Sequence, residues 1–203
     1  MKTFISAVLA GISVALGGLQ LLSAENRVVG AALFTIGLFV ICTFGLHLFT
    51  GKLCYLFDND RAYALALPLI WLGNLCGTGL AALAVRLTRI ASVAERAASL
   101  CAVKTGDSLL SLFFLGVFCN ICIYIAVEGY RSNPHELGKY LSLFFGVMVV
   151  ILCGAEHSVA DMFYFWVAGA WSPRAVLCIL IISLGNLCGG LFFPLLRRLS
   201  KPQ

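Results

Sequence analysis

Six stretches of this chain, near residues 3–22, 28–57, 62–86, 108–130, 139–169 and 174–196, are predominantly apolar over at least twenty residues each. An α-helix needs about 20 such residues to cross the hydrocarbon core of a bilayer. The pattern therefore predicts an all-α integral membrane protein with six transmembrane helices. Composition agrees: 61% of the residues are apolar and 11% charged, and the mean hydropathy is +1.00. A soluble domain is about half apolar and a quarter charged. So few polar groups cannot cover a soluble surface, and membrane lipid is the expected surrounding. Soluble, disordered and fibrous classes are excluded. The net charge of +5 is spread among loops and ends, which suits membrane flanks and gives no nucleic-acid footprint.

The first run, MKTFISAVLAGISVALGGLQLLSA, carries Lys2, an apolar core and a small-residue end, as a signal peptide would. Its apolar part, Phe4 to Leu22, is longer than a signal core, so a retained helix is expected. With the N-terminus inside, Lys2, Lys52, Arg61, Arg131, Lys139, Arg197, Arg198 and Lys201 lie on the inner side, eight of the 14 cations. That balance favours cytoplasmic N- and C-termini in a multi-pass protein of the cell inner (plasma) membrane.

Cys42, Cys54, Cys76, Cys119, Cys122, Cys153, Cys178 and Cys188 all sit inside apolar stretches, where a thiol behaves as a small hydrophobe. Cys119 and Cys122 form a CxxC without a second pair beside it, a weak metal or redox signal. No metal and no cofactor are expected.

LGNLCG occurs twice, from Leu72 and from Leu184, an offset of 112. A second echo joins two polar interruptions, FGLHLFTGKLCYLF at 44–57 and CGAEHSVADMFYFW at 153–166. An offset of 109 superposes Gly45 on Gly154 and Tyr55 on Tyr164. The chain thus reads as one transmembrane domain of doubled three-helix units, residues 1–90 and 104–203. Three helices per unit make it an inverted 3+3 repeat, aquaporin-like, with helices 2 and 5 interrupted. In such repeats paired broken helices mark the pathway, since freed backbone groups must line a cavity or be buried in protein. Gly73–Gly77 and Gly185–Gly189 are GxxxG pairs that allow close helix packing; with Asn74 and Asn186 they form the repeat-motif packing set.

Taken in order, LFTG at 48–51, WLGNLCG at 71–77, Lys104, GVFCNICIYIAV at 116–127, GAEHSVADMF at 154–163 and LGNLCGG at 184–190 resemble the formate/nitrite transporter family. The resemblance spans nearly the whole chain. It implies six helices per protomer, a homopentamer, and a separate pore in each protomer for small monovalent anions. It also implies a central histidine at His157, a loop threonine at Thr50, a vestibule lysine at Lys104 and a polar pore residue at Asn120. Leu48 and Phe49 would form an apolar constriction. Three departures stand out. His47 occupies the place of the family's usual acidic residue before LFT, the chain begins almost at the first helix, and little follows Arg198. A gate built from an N-terminal helix is therefore not expected.

An unpaired ion in a dry constriction costs tens of kcal/mol before relaxation, on the order of the Born estimate. Protonating an acid of pKa about 4 at neutral pH costs about 4 kcal/mol. Passage as the neutral acid is the cheaper route. Lys104 would draw the anion in, and desolvation would raise its proton affinity. His157 would act as proton donor or as a neutral hydrogen-bond partner, Thr50 would bond histidine or substrate, and Asn120 would offer its amide. Glu156 is expected to bind backbone at the break and point away from the pore. Asp161 is expected to pack or lie at the interface, and His135 to be a loop residue. Formate is the expected substrate, with nitrite or hydrosulfide as the alternative. A membrane redox or structural subunit is the rival of another class. The three histidines, at 47, 135 and 157, lack the clustering that redox ligands need.

Overall fold

The computed structural model of the protein describes residues 1–200. Within them every element is helical. In chain order they are α1 (Lys2–Ser23), α2 (Arg27–Phe34), α3 (Ile36–Thr43), α4 (Phe49–Leu53), α5 (Arg61–Arg86), α6 (Val93–Gly106), α7 (Leu109–Ser132), α8 (Glu136–Cys153), α9 (Ser158–Ala168) and α10 (Pro173–Leu199). Helix starts follow local chemistry. Asp60, Ser108 and Ser172 precede α5, α7 and α10, and each accepts a backbone N–H of the first turn. Pro173 opens α10, where its missing N–H costs nothing.

Five helices, α1, α5, α7, α8 and α10, are long and apolar enough to cross a membrane. The run at 28–57 is not a single helix. It bends at Thr35, whose hydroxyl donates to the Ala32 carbonyl at 2.7 Å. It then stops at Gly45, where φ is +64° and the Leu46 N–H reaches back to the Ile41 carbonyl at 2.9 Å. Glycine adopts this left-handed turn without the steric cost other residues meet. The run at 139–169 stops in the same way at Gly154, with φ +71° and the Ala155 N–H on the Val150 carbonyl at 3.0 Å.

These two stops correspond residue by residue at an offset of 109 (154 − 45, 155 − 46, 150 − 41). The next bonds do too: the His47 N–H donates to Ser6 Oγ, and the Glu156 N–H to the Leu115 carbonyl.

Packing repeats the pattern. α1 lies along α5, and α7 along α10. A Cβ on Gly77 would come within 2.0 Å of the Val8 carbonyl oxygen, and one on Gly189 within 2.1 Å of that of Val117. Gly73 and Gly185 meet the same partner helices. The GxxxG pairs therefore seal contacts inside one chain. The apolar helix α9 is buried from Ser158 to Phe165 and packs against α1, α5, α6 and α10. The connecting helix α6 brings Lys104 to its flank.

Candidate functional site

Breaking a helix frees backbone groups that must find partners. Two asparagines supply them. Asn74 Oδ1 accepts the Phe49 N–H at 2.8 Å, while its Nδ2 donates to the Ala7 and His47 carbonyls at 2.7 and 3.0 Å. Asn186 Oδ1 accepts the Ser158 N–H at 3.0 Å, and its Nδ2 donates to the Gly116 and Glu156 carbonyls, both at 2.9 Å. The partners again differ by 109 (158 − 49, 116 − 7, 156 − 47). The asparagine of LGNLCG thus clamps a helix break to a neighbouring helix, which is more than the packing role expected of it.

The clamps bring the starts of α4 and α9 together. His157 caps α9, its Nδ1 accepting the Ala160 N–H at 3.2 Å. Its Nε2 lies 2.8 Å from Thr50 Oγ1 on α4, and both residues are buried. With Nδ1 an acceptor, the partners assign the ring proton to Nε2, which donates to Thr50 Oγ1. The Thr50 hydroxyl hydrogen is then free for another acceptor. Under the 109 offset the counterpart of His157 is Leu48, so the two breaks differ chemically here.

Two cavities approach this point. The larger, about 570 Å³, is lined by Leu48, Lys104, Glu156, His157, Asp161 and Tyr164, among others. The smaller, about 320 Å³, is lined by Leu48, Lys52, Tyr55, Tyr63, Tyr130 and Arg131, among others. Leu38, Ile41 and Leu48 border both and form an apolar barrier between them. Phe49 lines neither cavity, so of the expected constriction pair only Leu48 stands there. Leu38 and Ile41 share a face of α3, and nothing in their spacing says which neighbour that face meets.

Asn120 also stands back from both cavities. It is buried, with Nδ2 donating to the Thr50 carbonyl at 3.1 Å and the Asn186 carbonyl at 2.7 Å. Its amide nitrogen is committed to holding α4 and α10, while its Oδ1 is buried without a hydrogen-bond partner. His47 is half-buried with Nδ1 unpartnered, and His135 is exposed just before α8.

The charges differ most from expectation. Lys104 is not a free vestibule cation: its ammonium is bonded by Glu156 and lies 2.9 Å from Asp161 Oδ1. Burial alone would lower the pKa of this ammonium, but the two carboxylates outweigh it and hold it above the ordinary lysine value. Glu156 faces the larger cavity and Lys104 instead of turning to backbone, and Asp161 is a charged partner instead of packing. Of the other cations on this cavity, Arg27 donates to the Ile151 and Leu152 carbonyls, and Arg96 to those of Leu22 and Ala24. Both serve helix C-termini. In the smaller cavity Lys52 and Arg131 stand without a carboxylate among the lining residues. The Arg131 guanidinium rests on the Tyr55 ring at 4.2 Å.

Comparison with known proteins agrees with this architecture. The family described as "Formate/nitrite transporter" matches residues 1–198. The chain is 26% identical to a "Probable formate transporter" of Methanothermobacter thermautotrophicus, covering 95% of this chain and 85% of that protein. It is 28% identical to the "Nitrite transporter NirC" of Salmonella typhimurium, covering 94% and 79%. Among solved structures, an "FNT family ion channel" superposes with TM-score 0.86 at 26% identity over 99% of this chain and 90% of that one. A "Pentameric formate channel with formate bound" superposes with TM-score 0.78 at 22% identity over 98% and 96%. Since the family match runs over nearly all of these apolar helices, this multi-pass membrane protein belongs to the formate/nitrite transporter family, whose members carry anions and are not enzymes.

Proposed function

We propose that the chain conducts small monovalent weak-acid anions, formate first, and that they cross the constriction as the protonated acid. One observation carries this reading. Two cavities converge on Leu38, Ile41 and Leu48, a barrier without charge, with the neutral His157–Thr50 pair beside it. An anion there meets no cation in contact, so neutralisation by a proton, costing about 4 kcal/mol at neutral pH, is cheaper than bare desolvation. The Thr50 hydroxyl, held by His157, offers the passing molecule a hydrogen bond. Lys52 and Arg131, the charged residues that line the smaller cavity, supply the positive field that collects anions there.

The finer architecture belongs to the same reading: six crossings, with α2–α3–α4 as the interrupted second and α8–α9 as the interrupted fifth. The 109-residue correspondence of their hydrogen bonds supports two inverted units, residues 1–90 and 104–203. The likeness to a pentameric formate channel supports a homopentamer with a pore in each protomer. The distribution of 14 cations supports cytoplasmic termini in a plasma membrane. Relatives named nitrite transporters support nitrite as the second substrate, and hydrosulfide has the size and charge to follow the same path.

The test is flux into proteoliposomes holding the purified protein. Formate uptake is expected to rise as the supplying side is acidified, and nitrate, the anion of a strong acid, is expected to pass at less than a tenth of the formate rate. Equal rates for the two would sink the protonated-acid route.

A further inference from the structure

Lys104 faces two carboxylates where charge balance needs one. With every group ionised, the cluster carries −1, one ammonium against two carboxylates, and its side chains are only 10%, 7% and 3% exposed for Lys104, Glu156 and Asp161. Asp161 Oδ2 and the Tyr164 hydroxyl are both buried without a hydrogen-bond partner, and both residues line the larger cavity. The other cations around it are engaged elsewhere: Arg27 and Arg96, which also line the cavity, bond helix-end carbonyls, and Arg174 of α10 bonds the Thr105 and Asp107 carbonyls. Tyr164 sits with its ring 5.9 Å from the Lys104 ammonium, Cys101 and Cys119 lie nearby on α6 and α7, and Cys178 of α10 bonds the Lys104 carbonyl. The charged residues of α1 and α5, Lys2, Arg61 and Arg86, lie at those helices' ends. Two carboxylates pressed on one ammonium in a poorly solvated site repel each other.

We propose that Glu156 and Asp161 share one proton beside Lys104, so that the cluster is neutral at rest, and that a small weak-acid anion in the larger cavity takes up this proton before it reaches the barrier. The inference rests on the proposed protonated-acid route and names its proton source. In the step, the carboxylic O–H bond breaks and an O–H bond forms on the anion. The cluster becomes −1 until a proton from solvent restores it, and no electron moves. Neutral His157 does not fit the donor role as well: its Nδ1 is held by Ala160, and giving up the Nε2 proton would leave an imidazolate. The Asp161 carboxyl fits it better, because its unpartnered oxygen belongs to a residue that lines the cavity where the anion arrives.

Infrared spectroscopy of the protein in lipid vesicles at neutral pH tests this, with carbon-13 aspartate or carbon-13 glutamate incorporated in separate samples. A protonated-carboxyl carbonyl band is expected in the wild type; it should move with one of the two labels and vanish in Asp161→Asn. The labels decide the matter even if that variant does not fold. In the same vesicles Asp161→Asn should lose tenfold or more of formate uptake, while Asp161→Glu keeps most of it. The proposal is overturned if the wild type has no such band, if the band survives in Asp161→Asn, or if that variant transports at the wild-type rate. Should the wild type carry no formate at all, the proposed function falls, and the band alone then decides whether the shared proton exists.

Discussion

His157 links the Ala160 N–H, through its ring, to Thr50 Oγ1. An amide in its place keeps polarity but loses this reach, so His157→Asn should cost at least tenfold in formate flux while the protein still assembles. Thr50→Val should do the same, and Thr50→Ser should keep most of the flux; stopped-flow uptake in liposomes measures all three. Asn186 is different in kind. Replaced by Ala, it leaves the Ser158 N–H and the Glu156 carbonyl without this partner in a buried site. Each orphan costs about 1–3 kcal/mol. Asn186→Ala should therefore lower the melting temperature of the detergent-solubilised protein sharply, where His157→Asn leaves it nearly unchanged. The sequence made His157 and Thr50 conspicuous because a histidine and an interrupted helix are costly in an apolar segment. It did not single out Asp161 or the clamping role of the asparagines. Both depend on partners brought near from segments 25 to 70 residues away.

At the scale of elements, two kinds of glycine carry the architecture. Gly189 sits where α10 crosses α7, and a Cβ there would meet backbone that cannot yield. Gly189→Ala should push the two helices apart and remove most of the folded protein, as measured by size-exclusion recovery. Gly154 has open space around its Cβ position, with only an Arg27 nitrogen at 3.9 Å, so Gly154→Ala meets backbone strain alone. The strain at φ +71° is about 1–2 kcal/mol, and folded protein should persist. The polar interruptions at 44–57 and 153–166 were readable, and Gly45 and Gly154 stand at the two stops. The bend at Thr35 was not, because a threonine inside an apolar run gives no signal until its hydroxyl has found the Ala32 carbonyl.

For the whole molecule, the distribution of charge matters more than its sum. The larger cavity has cations and carboxylates among its lining residues, whereas the smaller has Lys52 and Arg131 and no carboxylate. Anion collection should therefore depend on the smaller cavity. A Lys52→Gln, Arg131→Gln double variant should raise the formate concentration for half-maximal flux several-fold at low salt. The gap should shrink at about 1 M salt, where screening acts over about 3 Å. Concentration-dependent uptake at two ionic strengths checks both parts. If the variant matches the wild type at low salt, Lys52 and Arg131 do not steer the anion.

By itself the sequence determined that the chain is helical and apolar and that it spells one six-residue string twice, because hydropathy and a repeated string are properties of the chain read in order. Only the tertiary structure decided which groups meet: Leu38, Ile41 and Leu48 at the barrier, two carboxylates on Lys104, and the asparagines on the broken backbone. Those contacts join segments far apart in the chain. They follow from how ten helices fill space, which local residue preferences do not encode.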